Sequence, residues 1–490
     1  MVGDQGPGTQ GALAPLRARP RGASPRFAWL LLAIVAVGFG VRVSYVAIAK
    51  AGPCRASDAA GKVLATSPSK CLQGDELFYN SEANFVASGH GFNEPYTAFF
   101  HPGRKPQSAA DHPPLTVLVL TSVSWLANQA PISGWLGEPQ QDHVREQRYT
   151  MVVLGTVLVG LVGLLGRRVG RGIGGDRRGE TVGLVAAGIA AISPNIWVND
   201  GLVMSETLTA LAVVAALLYS FRFWARPTLL RAAILGALCG VCALARVEFG
   251  LLAVLLGVVI PCALRRSWLD RSAFAITAVV AAAIVVAPWV GFNLARFEEP
   301  TFISTNDGIT LAGANCDATY HGDGLGLWTL GNCTGSLDPP GDQSQRSSHY
   351  RHRAFDYIDA HKSRLPVVVA ARVARTWSLF RPLDMVSFNA GEDRERWVTR
   401  LGLVGYYPTL LFAIAGALVL WRRRRKGVLW VMCTPLMVVT IGAVITYGQT
   451  RFRAPAEPAL AVLAAIGIVA AIERLRTRRR VAALPGPVRP

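Results

Sequence analysis

The side chains best suited to chemistry are two adjacent acids, Asp75 and Glu76, which precede an amphipathic pattern that predicts a helix. A carboxylate can take the proton from an attacking hydroxyl group, and it can also bind a metal ion. An acid in the first turn of a helix can equally serve only as a cap or a partner of the helix dipole. Further along, Asp111 and His112 precede two prolines. His112 either contacts a phosphate or a metal ion, or belongs to a rigid turn and nothing more.

Arginines at the ends of apolar runs form the second candidate group, namely Arg246, Arg451 and Arg453. The guanidinium group is planar, stays charged and binds phosphate through paired hydrogen bonds, so it can stabilise a phosphate leaving group. The structural alternatives are headgroup anchoring for Arg451 and Arg453, and an ion pair between Arg246 and Glu248. Because residues i and i+2 do not face each other on a helix, we expect Arg246 and Glu248 to have separate partners. Glu206 either supports the same chemistry or caps the helix that follows it.

The composition places these side chains in a membrane protein. The chain has 490 residues, of which 51% are apolar and 17% are charged, and its mean hydropathy is +0.33. The apolar residues form long uncharged runs, which are typical of membrane helices and not of a soluble enzyme. The net charge is +19, but the basic clusters lie beside apolar runs, and the sequence has no zinc-finger, helix-turn-helix or aromatic RNA-binding pattern. We therefore expect a lipid bilayer, and no nucleic acid, as a partner.

The apolar runs predict an all-α polytopic membrane protein with about 10–11 transmembrane helices. The runs cover residues 27–49, 115–128, 150–166, 181–198, 203–220, 229–245, 248–264, 273–292, 403–420, 428–446 and 456–472. Clusters of positive charge beside these runs should be cytoplasmic. The clusters lie at residues 167–178, 222–231, 265–271, 422–426 and 474–480. Both ends of the chain are then inside, with residues 1–26 as a disordered tail and 473–490 as a basic tail.

The short run at 115–128 conflicts with this scheme. If it crossed the membrane, the arginines of 167–178 would face the outside, so we expect it to lie along the outer surface. An arginine-rich outer loop is the alternative. The outer side then carries two large polar loops, at residues 50–149 and 293–402. We expect three units. Residues 27–292 form a catalytic membrane module that includes the first loop, residues 293–402 form an extracytoplasmic loop, and residues 403–472 form a C-terminal helical part.

Four of the eight cysteines fall in these two outer loops. Cys54 and Cys71 lie in the first loop, and Cys316 and Cys333 lie in the second. Since thiols in an oxidising compartment pair readily, we expect the disulfides Cys54–Cys71 and Cys316–Cys333. Closing loops of this size stabilises the fold by about 3 kcal/mol in the chain-entropy model. The alternative is four free thiols.

Several short motifs occur in a fixed order along residues 27–472. They are Asp75-Glu76, Asp111-His112-Pro113-Pro114-Leu115, Met204-Ser205-Glu206-Thr207, Ala245-Arg246-Val247-Glu248, Ala287-Pro288-Trp289 with Ser304-Thr305-Asn306-Asp307-Gly308, and Arg451-Phe452-Arg453-Ala454-Pro455-Ala456-Glu457-Pro458. This ordered set resembles the polyprenyl-phosphate-sugar-dependent membrane glycosyltransferases of the GT-C class, which include protein O-mannosyltransferases and lipid A aminoarabinose transferases. The sequence departs from the family pattern at Val247, which replaces a proline, at His112, which replaces a lysine, and at Asn293, where Arg-Asn is common.

The resemblance implies an inverting transferase that moves a sugar from a polyprenyl-phosphate donor to a hydroxyl group of a glycan, a lipid or a protein. It implies Asp75 as the general base, with Glu76 and Glu206 in support. Cations at the outer ends of the spans would contact the donor phosphate: His112, Arg246, Arg451 and Arg453. Asp111 and His112 are the implied ligands where relatives use a divalent metal ion; because other relatives use none, the cofactor stays open.

The location follows from composition and topology together. High Ala, Arg and Gly content is typical of GC-rich bacteria, so we expect a multi-pass protein of the bacterial cytoplasmic membrane with its active site on the extracytoplasmic side. A transporter or lipid flippase is the alternative function, and it predicts inverted repeats and charged or broken positions near mid-span. A non-catalytic scaffold that binds a partner is a third reading. Polar residues concentrate at the outer ends of the spans, which favours the transferase.

Overall fold

The computed structural model describes residues 22–50, 55–57, 63–65, 72–94, 107–129, 143–334 and 339–482. The first elements are α1 (Pro25–Tyr45), β1 (Arg55–Ser57), β2 (Val63–Ala65), α2 (Asp75–Ala87), α3 (Pro114–Ala127), α4 (Val144–Ile192), α5 (Pro194–Trp197), α6 (Glu206–Ala225), α7 (Leu229–Ala245), α8 (Leu252–Leu255), α9 (Val259–Cys262) and α10 (Trp268–Leu294). The later elements are α11 (Asn306–Ala314), α12 (Asp317–Tyr320), α13 (Gly331–Thr334), α14 (Gln343–Ala360), α15 (Leu365–Thr376), α16 (Asp384–Ala390), α17 (Arg396–Arg422), α18 (Lys426–Ile445) and α19 (Glu457–Ala482). Turns of 3-10 helix lie at Val198–Gly201, Val247–Leu251 and Thr450–Ala456.

The chain is a multi-pass membrane protein, and its described residues are all-helical apart from the short antiparallel hairpin of β1 and β2. Within the described residues, seven helices are long and apolar enough to cross a membrane. They are α1, α4, α6, α10, α17, α18 and the continuous helix Thr450–Arg479 that contains most of α19. The buried apolar core is built mainly from α4, α6, α7, α18 and α19, so these helices form the centre of the bundle.

Helix α4 is two antiparallel arms joined at Gly174 and Gly175. Gly175 has φ +82°, a left-handed conformation that glycine adopts without strain. Glycines on the facing sides of the arms let their backbones approach closely. The arms correspond to the predicted spans at 150–166 and 181–198, and the turn between them lies inside the basic cluster 167–178.

The predicted span at 248–264 is not a continuous helix. The chain there forms the 3-10 turn Val247–Leu251 and then two single-turn helices, α8 and α9. The preceding helix α7 runs through Leu229–Ala245, as its apolar run predicts. Apolar composition indicates burial in the membrane, but it does not distinguish a regular helix from a broken one, so the predicted apolar segment is present at Val247–Cys262 and its interruptions were not predictable.

The predicted surface helix at 115–128 forms α3, which lies beside α2. Its 14 residues span about 21 Å, less than the hydrocarbon thickness of a bilayer. Leu120 of α3 packs with Phe78 of α2 in one buried cluster. The far end of α3 is held by Asn128, whose Oδ1 lies 2.7 Å from Nε2 of His143 at the start of α4. Helix α3 is therefore anchored to α2 and to the start of α4, and its position along the outer membrane surface stays a prediction.

The charged side chains separate to opposite ends of the bundle. One end carries the acids at the start of α2 and α6 together with the arginines that follow α7 and α18. The other end carries the basic loops, where Nη2 of Arg178 lies 3.1 Å from Oε2 of Glu473 and Arg423 donates to the carbonyl of Ile173 at 2.7 Å. This separation is the one that the positive-inside rule predicts.

Candidate active site

The acid pair lies at the amino end of α2. Gly74 precedes it with φ +58°, and this left-handed turn allows α2 to start at Asp75. The carboxylates of Asp75 and Glu76 then lie in the first turn, where the helix dipole favours negative charge. The side chain of Asp75 is 28% exposed, whereas that of Glu76 is fully buried. The two neighbouring acids therefore point into different surroundings.

Arg451, in the 3-10 turn Thr450–Ala456, holds three carboxylates at once. Its Nη2 contacts Oδ2 of Asp75, its Nη1 contacts Oε2 of Glu392, and its Nε lies 3.0 Å from Oε1 of Glu206. Arg451 and Glu206 are both buried. The residues Asp75, Glu206 and Arg451, which the sequence resemblance assigns to the site, are thus brought together from three distant parts of the chain.

Two further arginines surround this group. Nη1 of Arg246 lies 3.3 Å from Oε1 of Glu206, and its Nε lies 2.8 Å from Oε1 of Glu248. Arg394 contacts Oε2 of Glu392 at 3.3 Å and Oε1 of Glu206 at 3.8 Å. The expectation that Arg246 and Glu248 have separate partners was wrong, because Arg246 has an extended backbone at the end of α7 and Glu248 follows in a 3-10 turn, so helical spacing does not apply.

His112 completes the surroundings of Asp75. Its Nε2 lies 3.5 Å from Oδ1 of Asp75, and its ring stacks on Tyr79 with the centroids 4.8 Å apart. Desolvation acts to raise the pKa of Asp75, but the charges of Arg451 and His112 outweigh it and hold that pKa well below its usual value. Asp75 is therefore a carboxylate in the resting site.

Glu76 faces away from the three arginines. Its Oε1 accepts a hydrogen bond of 2.6 Å from the backbone N–H of Val203, and its Oε2 lies 3.5 Å from Nη2 of Arg148. Burial raises the pKa of Glu76 to about 7, with Arg148 acting to lower it and Asp393 to raise it. Glu76 thus fastens the start of α2 to the loop that precedes α6, which is a positioning role.

The structure does not bring Asp111 and Arg453 into contact with the three arginines or their acids. Oδ2 of Asp111 accepts a hydrogen bond of 3.1 Å from Nε2 of Gln343, and burial raises the pKa of Asp111 to about 6. Arg453 pairs with Glu457, and its guanidinium lies 3.6 Å from the ring centroid of Tyr406. The contacts of Arg453 are therefore those of a buried structural arginine.

A small cavity lies against the arginines on the side away from α2. It is lined by Arg394, Arg451 and Thr450, with Met385 and Val386 on its apolar wall, and its volume is about 40 Å³. A space of this size holds about three water molecules.

Three crystal structures of the Archaeoglobus fulgidus oligosaccharyltransferase share the arrangement of helices. One contains that enzyme with a tethered acceptor peptide bearing the NVT sequon, with a TM-score of 0.54 and 14% identity. The second is the apo form, with a TM-score of 0.54 and 13% identity, and the third is the complex with Zn and sulfate, with a TM-score of 0.53 and 13% identity. The matches cover 94%, 95% and 92% of this chain but only 51%, 52% and 50% of that enzyme, so the chain spans about half its length. The chain has a GT-C fold. No family model and no curated protein matches the sequence.

Within this GT-C fold, metal ligation remains an expectation. In the described ranges, no group of three or more His, Cys, Asp or Glu side chains is arranged to hold a metal ion. Asp111 and His112, the pair implied by the resemblance, have other contacts, since Nδ1 of His112 lies 3.5 Å from Nδ2 of Asn306. Glu206 and Asp75 are engaged by arginine.

The disulfide prediction is confirmed for the second loop of the GT-C fold. The Sγ atoms of Cys316 and Cys333 are bonded at 2.00 Å. The predicted Cys54–Cys71 pair lies outside the described residues.

Glu392 and Arg394 are the site residues that sequence reasoning missed. They lie in the charged segment Glu392-Asp393-Arg394-Glu395, just before the run that forms α17. No family motif covers this segment. The available signal was its density of charge next to a membrane span on the predicted outer side, which is not explained by the positive-inside rule.

Proposed function

We propose that the protein is a glycosyltransferase that moves a sugar from a polyprenyl-phosphate donor to a hydroxyl acceptor, with inversion at the anomeric carbon. The observation that carries the proposal is the contact of Asp75 with Arg451 in a partly open site, at the end of the bundle opposite the basic loops. A base and a phosphate-binding cation are the two groups that this reaction needs. The site then lies on the extracytoplasmic side of a bacterial cytoplasmic membrane.

In the proposed reaction the acceptor oxygen attacks the anomeric carbon while its proton passes to the carboxylate of Asp75. The bond between the anomeric carbon and the phosphate oxygen breaks, and its electron pair stays on the polyprenyl phosphate. Arg451, Arg394 and Arg246 stabilise the negative charge that grows on this leaving group. No strong general acid is needed, because the phosphate is already a good leaving group.

The resting ion pairs indicate how the donor engages the site. Arg394 and Arg451 both point a guanidinium N–H at Oε2 of Glu392, which is the arrangement that a phosphate oxygen would adopt. Glu392 is 19% exposed and lies in a loop, whereas Glu206 is 1% exposed at the start of a membrane helix. We therefore propose that the donor phosphate displaces Glu392 and takes its place between the two arginines.

Displacement of this kind also activates the base. A carboxylate whose pKa lies far below the working pH accepts a proton poorly, and Arg451 keeps Asp75 in that state. When the donor phosphate takes a share of the Arg451 charge, the pKa of Asp75 rises toward its usual value. The base thus gains strength only when the donor is present.

The decisive test is complementation of a deletion strain, with the envelope glycans analysed by mass spectrometry. We expect the deletion to remove one sugar, and we expect wild type to restore it and Asp75→Asn to leave it absent at equal protein levels. The control is Glu298→Gln, which neutralises an exposed acid outside the site and should restore the sugar fully. Purified protein in lipid should turn over polyprenyl-phosphate mannose or arabinose. Full activity of Asp75→Asn would remove the proposed base.

The acceptor is a hydroxyl group of a glycan, a lipid or a protein. The tethered acceptor peptide of the Archaeoglobus fulgidus oligosaccharyltransferase supports a protein acceptor at this kind of site. The mass difference found in the deletion strain identifies which class of molecule loses the sugar.

A further inference from the structure

A second, strongly basic cavity lies at the opposite end of the bundle from Asp75. It is formed by the second arm of α4, the end of α17 and the end of α19, and its volume is about 650 Å³. Its charged lining consists of five arginines and one acid: Arg178, Arg422, Arg423, Arg474, Arg478 and Glu473. Unlike the three arginines near Asp75, which face four carboxylates, these five share a single carboxylate among the lining residues.

Arg178 shows that the excess charge is built into the cavity. Its side chain is only 9% exposed, and its single carboxylate partner is Glu473 at 3.1 Å. Its Nε is buried and has no hydrogen-bond partner among the described residues. Leaving such a donor unpaired is unfavourable, because burial has removed the water that would otherwise solvate it. An anion in the cavity would supply the missing acceptor.

The cavity also borders the surface that faces lipid. Val419 and Ala470 line it on the side of the membrane spans. Trp421, Ile472 and Leu475 are exposed on the same two helices, beside the arginines. A ligand that joins an anionic group to acyl chains fits both features, since its phosphate meets the arginines while its chains lie along α17 and α19.

Other basic loops at this end lack these features. Arg226, Arg265 and Arg266 are exposed side chains on the loops that follow α6 and precede α10, and they do not line the cavity. Such arginines are sufficient to fix the orientation of a membrane protein. The cavity arginines differ from these, because they are gathered around one cavity and include the unpaired Nε of Arg178. The orientation of the protein in the membrane does not require either feature.

We propose that this cavity binds the headgroup of an anionic phospholipid in the leaflet on the side of the basic loops. The phosphodiester accepts hydrogen bonds from Arg422, Arg474 and Arg478 at the mouth and from Arg178 at the base. Basic pockets between membrane helices on this side are suited to such headgroups. The inference is independent of the chemistry proposed for Asp75.

The test measures cardiolipin binding to the purified full-length protein by native mass spectrometry, with cardiolipin titrated against phosphatidylcholine. The cavity variant is Arg422→Gln/Arg474→Gln/Arg478→Gln, and the control with the same net charge is Arg226→Gln/Arg265→Gln/Arg266→Gln. The triple change removes three of the five arginines that line the cavity, so we expect the cavity variant to bind cardiolipin at least about tenfold more weakly and the control to bind like wild type. Equal binding by the cavity variant, or an equal loss in the control, would overturn the proposal.

A second variant keeps the test decisive if the triple change disturbs folding. Glu473→Gln removes the acid that competes for Arg178, so we expect tighter cardiolipin binding; unchanged or weaker binding contradicts the proposal. Inorganic phosphate serves as the soluble probe. If it displaces cardiolipin at an equal concentration of phosphate groups, the cavity recognises free phosphate and the lipid assignment fails.

Discussion

At the scale of single residues, the behaviour of the site depends on how Arg451 divides its charge. The guanidinium group of Arg451 contacts Asp75, Glu206 and Glu392. Arg394 also contacts Glu392. Each acid therefore has Arg451 as a counter-ion, and each must give up part of Arg451 when another anion arrives. Competition among anions, and not the strength of any one contact, sets donor affinity in the proposed reaction.

The first prediction concerns Glu392→Gln. The amide has no charge to hold Arg394 and Arg451, so the donor phosphate meets less competition. We expect the KM for the polyprenyl-phosphate sugar to fall by about tenfold, the effect of one charge-assisted hydrogen bond, while kcat does not rise. Steady-state kinetics on Glu392→Gln and on the control Glu298→Gln test this, and a KM above that of wild type would contradict the competition.

The second prediction concerns pH. Asp75 works as a base only when ionised, and the charges of Arg451 and His112 hold its pKa well below its usual value, so the acid limb of kcat/KM should lie below the range of an ordinary carboxyl group in wild type. Arg451→Gln removes the main group that lowers this pKa and leaves the desolvation that raises it. We therefore expect the acid limb to move to higher pH, whereas Arg451→Lys, which keeps the charge, should move it less. Superimposable profiles for the two variants would show that Arg451 does not control Asp75.

At the scale of elements, the first two membrane helices and the loop before α6 are joined by a buried ion pair. Nε of Arg42 on α1 lies 2.6 Å from Oδ2 of Asp200, and Oδ1 of Asp200 accepts from Thr207 at 2.6 Å. Both partners of the pair are almost fully buried. The carboxylate fits against α4 only because residue 155 is glycine, since a Cβ there would lie 2.2 Å from Cγ of Asp200.

The third prediction follows from this fit. In Gly155→Ala the methyl group displaces Asp200 and leaves Arg42 buried without its counter-ion. We expect a loss of about 3–5 kcal/mol of stability, the usual cost of breaking a buried ion pair. Thermal unfolding in detergent provides the measurement. Gly160→Ala on the same arm is the control, because its Cβ would meet only Val35 at 3.7 Å, and equal unfolding temperatures for the two variants would contradict the assignment.

Sequence predicts these elements to different degrees. The helix Leu229–Ala245 follows directly from an apolar run in which Arg231 is the one charged residue, and the turn of α4 follows from the basic cluster around Gly174. The broken segment after Glu248 does not, because its composition is that of a regular span. The pair of Arg42 and Asp200 joins residues 158 positions apart, and no local pattern connects them.

At the scale of the whole molecule, the sequence was sufficient to predict the GT-C fold and the separation of charge between the two ends of the bundle. It predicted only part of the candidate site. Apolar length and positive charge act over whole helices, so they are readable in one sequence. Asp75, Glu206 and Arg451 were found through ordered motifs. Glu392 and Arg394 were not, because they join the site only when the segment before α17 folds against the turn Thr450–Ala456, which carries Arg451.

Arg451 follows Asp75 by 376 residues in the sequence, and this separation has a consequence for biogenesis. Asp75 and Glu206 emerge from the ribosome long before the arginine that both contact. Until α18 and the helix Thr450–Arg479 are inserted, the early helices carry acids without their central cation. A nascent chain that stops after α17 should therefore be a substrate for membrane quality control, since the site is assembled only once the segment that carries Arg451 has been inserted.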